Sequence, residues 1–447
     1  MPGLKAGAAR SCTTPRVGTH MCGYFSDRLS TDVHDDLYAK AIVLENGDTS
    51  IALVVCDLIA LFKEDIAALK ERASALTGIP VESIFTSCTH THTGPASVPA
   101  LGTPRDDAYM EKAMERAADS VKLAQERLTE AQMGVASASC PGEAFNRRWH
   151  MKDGSVRMNP GYQNPYMVRP AGPTDPEVLV LALREPGGAP IALLANYSLH
   201  YVGSAHPTAI SADYFGYFDR ALQRLAGAPL VGIMANGCCG DINNCDFRKP
   251  RPDMPHPYFQ IERVANVLAA TAYGAWQGLR DFDYRDDATL SAATETVTFR
   301  RRQSTASELA AAKALLRAET PDAAKEIPDG ESQDFADWIY AREALLVEQE
   351  PVEQPTPIMA LGLGDLGIVG LPGEIFVEYG LQIKERSPFA RTMTVELAND
   401  YVGYTPTDKA LGEGSYESRL ARSAKASPGT EGAFVSAALA ALMQVKR

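Results

Sequence analysis

The sequence predicts an α/β protein, a mixed β-sheet core with flanking helices. Two observations carry this. Apolar runs of strand length, such as SIALVVCD at 50–57, alternate with longer stretches whose apolar residues recur at helical spacing. Several runs also end abruptly in an ionisable residue followed by Gly or Pro, as in SIFTSCTHTHTGP at 83–95. The 447 residues suffice for one large domain or two ordinary ones. A composition of 45% hydrophobic and 22% charged residues is that of a globular chain with no long disorder.

In order, strands are expected at 38–44 and 50–57, a helix at 63–76, a strand at 81–87 and a long helix at 106–128. Paired strands follow at 178–183 and 191–197 around Pro-Gly-Gly at 186–188. A helix at 214–225, a strand at 230–234 and a helix at 261–279 come next. Residues 304–350 differ in being rich in Ala, Glu and Lys. They read as two helices joined by Pro-Asp-Gly at 328–330, a helical insertion that would also suit a dimer contact in a homo-oligomer. A hairpin at 358–363 and 367–371 turns at Gly364-Asp365, and Glu374 is expected in the first turn of a helix reaching residue 381.

The net charge of −13 and a pI near 5.2 argue against a nucleic-acid partner or a basic lipid-binding patch. No stretch approaches the roughly 20 apolar residues of a membrane span, and residues 1–15 lack the apolar segment of a secretory signal. Eight cysteines without a CxxC pair suggest reduced thiols in a cytoplasmic protein. Cys238, Cys239 and Cys245 are read as small buried hydrophobes rather than a thiolate metal site.

The chemistry concentrates at strand ends. His90 and His92 lie two residues apart, so a strand would present both on one face. His200 ends NYSLH, Glu374 ends LPGE, and Tyr401 and Tyr404 close ELANDYVGY. GIMANGCCGDINN adds Asn236, Asp241 and Asn243. Ligands of open α/β sheets gather at such ends, and His with carboxylate donors suits Zn²⁺. Each residue also has a structural explanation: His200 as a hydrogen-bonded core histidine, Glu374 as a helix N-terminal acid, the tyrosines as packing rings. Arg28, Arg147 and Arg148 could clamp an anionic or sugar-acid substrate. His34-Asp35-Asp36 reads as a turn or a site wall, and Ser211-Ala212-Asp213 as a helix cap or a hydrogen-bond partner of His200.

THTHTGP (89–95), the N-x-x-x-H strand end, the Gly-Asp turn, PGE and N-x-Y-x-x-Y, in that order, resemble the N-terminal catalytic domain of neutral (alkaline) ceramidases, zinc amidases that split ceramide. The resemblance runs from GTHMCGYFSDR (18–28) to Tyr416-Glu417 and includes AFNRR at 144–148. It implies one catalytic domain over 1–447, with the helical insertion at about 304–350. It implies His90, His200, Glu374 and Tyr404 as zinc ligands, His92 behind them facing substrate, and Arg147 at the substrate. Where the family has G-D-V-S-P-N, this chain has Gly240-Asp241-Ile242-Asn243-Asn244, so the family serine is an amide here. No family C-terminal immunoglobulin-like domain and no signal peptide are expected.

The resulting expectation is a zinc-dependent hydrolase of an amide or related acyl linkage in a small polar or carbohydrate-like substrate. Ion-activated water is the nucleophile, Glu374 or Asp241 the base, His92 and Tyr404 the oxyanion partners, and Arg147, Arg148, Asn243 and Arg28 the substrate contacts. A lyase or isomerase acting on a uronate or keto substrate would use the same residues. A third function is ligand or metal binding without catalysis.

Overall fold

The structure, a computed structural model, describes residues 3–201, 206–323 and 332–446. The expected Pro-Asp-Gly break at 328–330 lies outside them. β1 (Lys5–Cys12), β2 (Tyr38–Asn46), β3 (Thr49–Cys56) and β4 (Ile84–Cys88) form a first sheet in the order β4-β3-β2-β1, with Thr129–Glu130 at its edge. β1, β2 and β3 are antiparallel neighbours, whereas β3 and β4 run parallel and are joined by helix α1 (Lys63–Thr77). Helix α2 (Asp107–Gln125) packs beside α1. Alternation sets the two faces: Ala41 and Val43 of β2 meet the helices, while Ile42 and Leu44 point to the middle of the molecule.

The same plan recurs twice. β5 (Gln132–Ser139), β6 (Glu177–Arg184), β7 (Pro190–Tyr197) and β8 (Val231–Asn236) pair in the order β8-β7-β6-β5. Only β7 and β8 are parallel, linked through α3 (Asp213–Ala226) with α4 (Phe259–Gln277) alongside. The third sheet begins with β9 (Leu290–Arg300), followed by the helix pair α5 (Ala306–Leu316) and α6 (Gln333–Val347). It continues through β10 (Glu353–Leu363), β11 (Leu366–Gly370), α7 (Val377–Arg386) and β12 (Arg391–Val395), with α8 (Thr430–Val445) on its outer face. Its order is β9-β10-β11-β12, and only β11 and β12 are parallel.

The mixed sheet expected from the sequence is thus three mixed sheets. Their inner faces share one apolar cluster, with Leu44 and Leu53, Leu181 and Leu194, and Leu361 and Ile368 from the three in turn. Each sheet contributes one β-α-β unit, and the three parallel pairs aim their C-terminal ends at a common place. One local expectation is corrected. Glu374 does not open a helix: Glu374–Ile375 pairs as a two-residue parallel strand with Tyr404–Thr405, and α7 starts at Val377. All eight cysteines are unpaired. No helix among the described residues is long and apolar enough to cross a membrane.

Candidate metal centre

The three strand ends are tied together by buried polar groups. Asn236, at the end of β8, donates to the Thr89 carbonyl at 2.8 Å. The Asn236 carbonyl accepts from Glu396 N at 3.1 Å, just past β12. Glu396 Oε2 accepts from Cys239 N at 3.0 Å and Ile375 N at 2.9 Å. Burial pushes the Glu396 carboxyl up to about 8. Every exit from these strands is therefore registered against the other two.

β4 delivers His90 in a left-handed conformation, φ 68°, with its N–H on the Leu58 carbonyl at 2.9 Å. That backbone turn swings the ring inward. His90 Nδ1 donates to the Ile59 carbonyl at 2.7 Å, which leaves Nε2 as the inward-facing nitrogen. His92 follows on the same side, its ring centre 4.9 Å from that of His90, but the turn after β4 and not strand alternation brings them together, since β4 ends at Cys88. Its Nδ1 donates to the Gly23 carbonyl at 3.0 Å. Gly23 has φ 106°, and a Cβ there would sit 3.0 Å from His92 Cα, Cβ and Cγ, so only glycine lets the loop close on the ring.

His200, beyond β7, completes the group. Its Nε2 is 2.9 Å from His92 Nε2, and its Nδ1 is 3.2 Å from Arg147 Nη1. Because His92 Nδ1 and Arg147 both donate, the bond between the rings runs from His200 Nε2–H to His92 Nε2. Ligating nitrogens of all three imidazoles lie within 4.8 Å of one another. Burial first, and then the charge of His90, lowers His92 to about 3; burial and the Arg147 guanidinium hold His200 well below the ordinary imidazole value. Both rings are neutral near pH 7, the state in which imidazole ligates a cation.

Glu374 faces these rings. Its Oε1 accepts from Tyr401 OH at 2.8 Å. Its buried Oε2 lies 3.3 Å from His90 Nε2 and 3.8 Å from His200 Nδ1. Burial raises the Glu374 carboxyl, but the charge of His90 and hydrogen bonds from His90, Tyr404 and Tyr401 outweigh it and hold the group below its usual value. Burial lowers His90, and the Glu374 charge more than restores it. Three clustered imidazoles with a carboxylate facing them are donors of the kind a divalent cation takes. Tyr404 stands beside Glu374 in strand register, its ring centre 5.4 Å from the Arg147 guanidinium carbon. Arg147 gives Nε to Glu417 Oε1 at 2.9 Å, and its buried Nη2 has no partner among the described residues.

A cavity of about 190 Å³ opens on this cluster. Gly23, Tyr24, Phe25, Leu101, Met158, Asn159 and Tyr416 extend its lining outward. A larger groove of about 360 Å³, between residues 13–19 and the start of α2, holds none of the histidines or of the carboxylate that faces them; volume does not locate the chemistry.

Four expected site residues lie elsewhere. Asp241 is not on the cavity: its oxygens accept from Val377 N at 3.0 Å and Asn146 Nδ2 at 2.6 Å, so the turn at 240–244 uses it to cap the start of α7 rather than as a base. Arg148 is buried behind the cavity, donating to the Gly414 carbonyl at 3.0 Å beside Glu413 and Glu417. Asn243 donates to Asn159 Oδ1 at 2.7 Å and reaches the cavity only through that side chain. Arg28 directs Nη1 and Nη2 to the carbonyls of Pro207, Cys22 and His92, cross-linking the wall. The Cys238, Cys239 and Cys245 thiols form no metal group among the described residues; Cys239 Sγ donates to Glu396 at 2.9 Å.

Sequence reasoning missed two positioning groups. Asp213 caps no helix by its side chain and does not touch His200. It accepts from His92 N, Thr91 Oγ1 and Thr93 Oγ1, each at 2.9 Å, and so fixes the histidine loop. Asp35 supports it from behind, accepting from Ala212 N at 2.7 Å. The other miss is Glu396. Its only signal in the sequence is its place at the strand end that opens ELANDYVGY.

No protein-family model matches the sequence, and neither does any curated protein. Several solved structures resemble the fold, two of them ceramidases. A neutral ceramidase from Pseudomonas aeruginosa matches with a TM-score of 0.70 at 18% identity, covering 100% of this chain and 75% of that one. A structure described as ceramidase complexed with C2 matches with a TM-score of 0.72 at 18% identity, covering 99% and 76%. The chain has a neutral-ceramidase-like fold.

Proposed function

We propose, from the ceramidase-like fold and the buried three-histidine, one-glutamate cluster, that this protein is a zinc-dependent hydrolase of an amide or related acyl linkage in a small substrate. The observation that carries the reading is the buried three-histidine group with the Glu374 carboxylate facing it, Oε2 lying 3.3 Å from His90 Nε2 and 3.8 Å from His200 Nδ1. His90, Glu374 and His200 would hold the ion, His200 through Nδ1 in place of its contact with Arg147 Nη1, with Tyr404 as the fourth ligand. Zinc so held supplies Lewis acidity toward a carbonyl and an acidified water.

The remaining residues have separable tasks. His92 accepts from His200 and fixes that ring's tautomer and tilt. Arg147 Nη2 offers a buried, water-shielded donor to a developing oxyanion. With Asp241 off the cavity, Glu374 is the carboxylate left to take a proton from water. The eight unpaired thiols favour a reducing, cytoplasmic location.

Metal analysis of purified protein tests this directly. Wild type should carry close to one zinc per chain, and His90→Ala, His200→Ala and Glu374→Ala should each lose it while keeping the wild-type circular dichroism spectrum. Full zinc content in the variants would remove the ligand assignment. A second reading has one observation behind it, since the unpartnered Arg147 Nη2 would equally pair a uronate carboxylate for elimination. Product mass separates the two, because hydrolysis adds water and elimination does not.

A further inference from the structure

The outer end of the cavity is built by groups that the metal cluster does not explain. Phe25, Leu101 and Tyr416 line it beside Tyr24 and Met158, and α6 packs against Phe25 and Leu101. Tyr340 of α6 meets Phe25 edge-on with ring centres 5.9 Å apart, and Phe25 meets Tyr416 at 6.2 Å. Leu101 is buried in one apolar cluster with Ile339 and Tyr340. The fit is tight, since a Cβ on Gly102 would lie 2.4 Å from the Phe25 carbonyl and 3.2 Å from Ile339 Cδ1.

The helix cannot easily retreat. Arg422 grips the buried Glu343 with two bonds of 2.6 and 2.9 Å, and Arg419 pairs with Asp337 at 2.9 Å. Both arginines follow Tyr416 in the chain, so α6 is pinned to a segment that itself lines the cavity. Drawing α6 away would strand Glu343 as an unpaired buried charge.

We infer that α6, acting through Phe25 and Leu101, is the chain-length stop for the acyl group of the substrate and restricts it to a short apolar chain. This rests on the hydrolase reading above. The cavity of about 190 Å³ is smaller than the ~300 Å³ at which pockets for drug-sized ligands begin. Once the reacting group sits at the histidines, a chain running toward α6 meets Phe25, Leu101 and Tyr416 on the cavity wall. A few methylenes fill it; a long alkyl tail runs into α6.

The test uses zinc-loaded full-length protein and a series of alkanoyl hydroxamates from acetyl to decanoyl, read by calorimetry. Affinity in wild type should climb about fourfold per methylene while apolar space remains and then break at about four carbons. Leu101→Ala and Tyr340→Ala should each move the break outward by about two carbons, whereas Tyr340→Phe, which keeps the ring, should leave it in place. An unmoved break in both alanine variants, or no hydroxamate bound by any variant, would overturn the stop. Turnover of amides with the same acyl series is measured in parallel. A shifted hydroxamate break without amide cleavage keeps the stop and sinks the hydrolase; cleavage with one acyl optimum throughout does the reverse.

Discussion

Asp213 is the residue whose loss should reveal how the histidine loop is held. Its carboxylate accepts from Thr91 Oγ1, His92 N and Thr93 Oγ1, each at 2.9 Å, from a left-handed backbone with φ 47°. The two threonine hydroxyls keep a second acceptor in the Ser211 carbonyl, at 2.7 and 2.9 Å, so their loss is cushioned. The His92 N–H has no such alternative. Asp213→Ala leaves it buried and unpaired at a cost of about 1–3 kcal/mol. Alanine in the left-handed region adds about 1–2 kcal/mol. The expected destabilisation is therefore about 2–5 kcal/mol, read from urea unfolding at constant m value. Asp213→Asn keeps one carbonyl oxygen for His92 N and tolerates the same φ, so it should lose about half as much. Zinc affinity should fall about 10- to 100-fold in the alanine variant, because His92 orients His200. A stability within about 0.5 kcal/mol of wild type for Asp213→Ala would show that the loop is held by packing and refute the reasoning.

Arg147→Lys should raise KM while leaving zinc content intact, since lysine cannot reach Glu417, His200 and the cavity together; unchanged kinetics would take Arg147 out of the site. Gly23→Ala should lose activity without losing the fold, through the 3.0 Å collision with His92, and normal turnover would contradict that crowding. Long-chain ceramide should be a poor substrate beside short N-acyl amides; comparable kcat/KM would mean that the cavity opens well beyond 190 Å³. The Glu378 carboxyl is raised by burial and then by the neighbouring Asp241 charge, so the folded chain binds a proton there that the unfolded chain gives up above the ordinary carboxylate range. Its contribution is present in acid and lost as pH rises. Glu378→Gln should therefore flatten the decline in stability from about pH 5 up to the folded value of about 8, and an unaltered profile would rule this out.

The elements were legible because burial wrote them plainly. β3 reads SIALVV because both of its faces are covered, one by helices and one by the other sheets. The same covering hid the count of sheets: an apolar run looks alike whether its neighbours belong to one sheet or three. His90, His92, His200 and Glu374 stood out as ionisable groups at the ends of such runs, where polarity inside a core demands a partner. Asp241 stood out for the same reason and was misread, since the backbone N–H of Val377 was its partner. Asp213 looked like a helix cap because its bonds go to a loop more than a hundred residues away, and spacing carries no trace of that contact.

Three β-α-β units share the site, and no unit holds a complete set of the groups that would bind an ion. The first brings His90 and His92, the second His200, the third Glu374, Tyr401 and Tyr404. A cluster divided in this way depends on the register between units. That register is kept by groups that never face the cavity: Asn236 on Thr89, Glu396 on Cys239 and Ile375, Asp213 on His92. Each joins two units through a backbone amide or carbonyl, so it constrains position without specifying the neighbouring side chain. Such a frame can keep its geometry while the surrounding sequence drifts. It also separates two kinds of failure. Loss of a ligand side chain should abolish metal binding in a folded protein, whereas loss of a registering group should weaken metal and fold together.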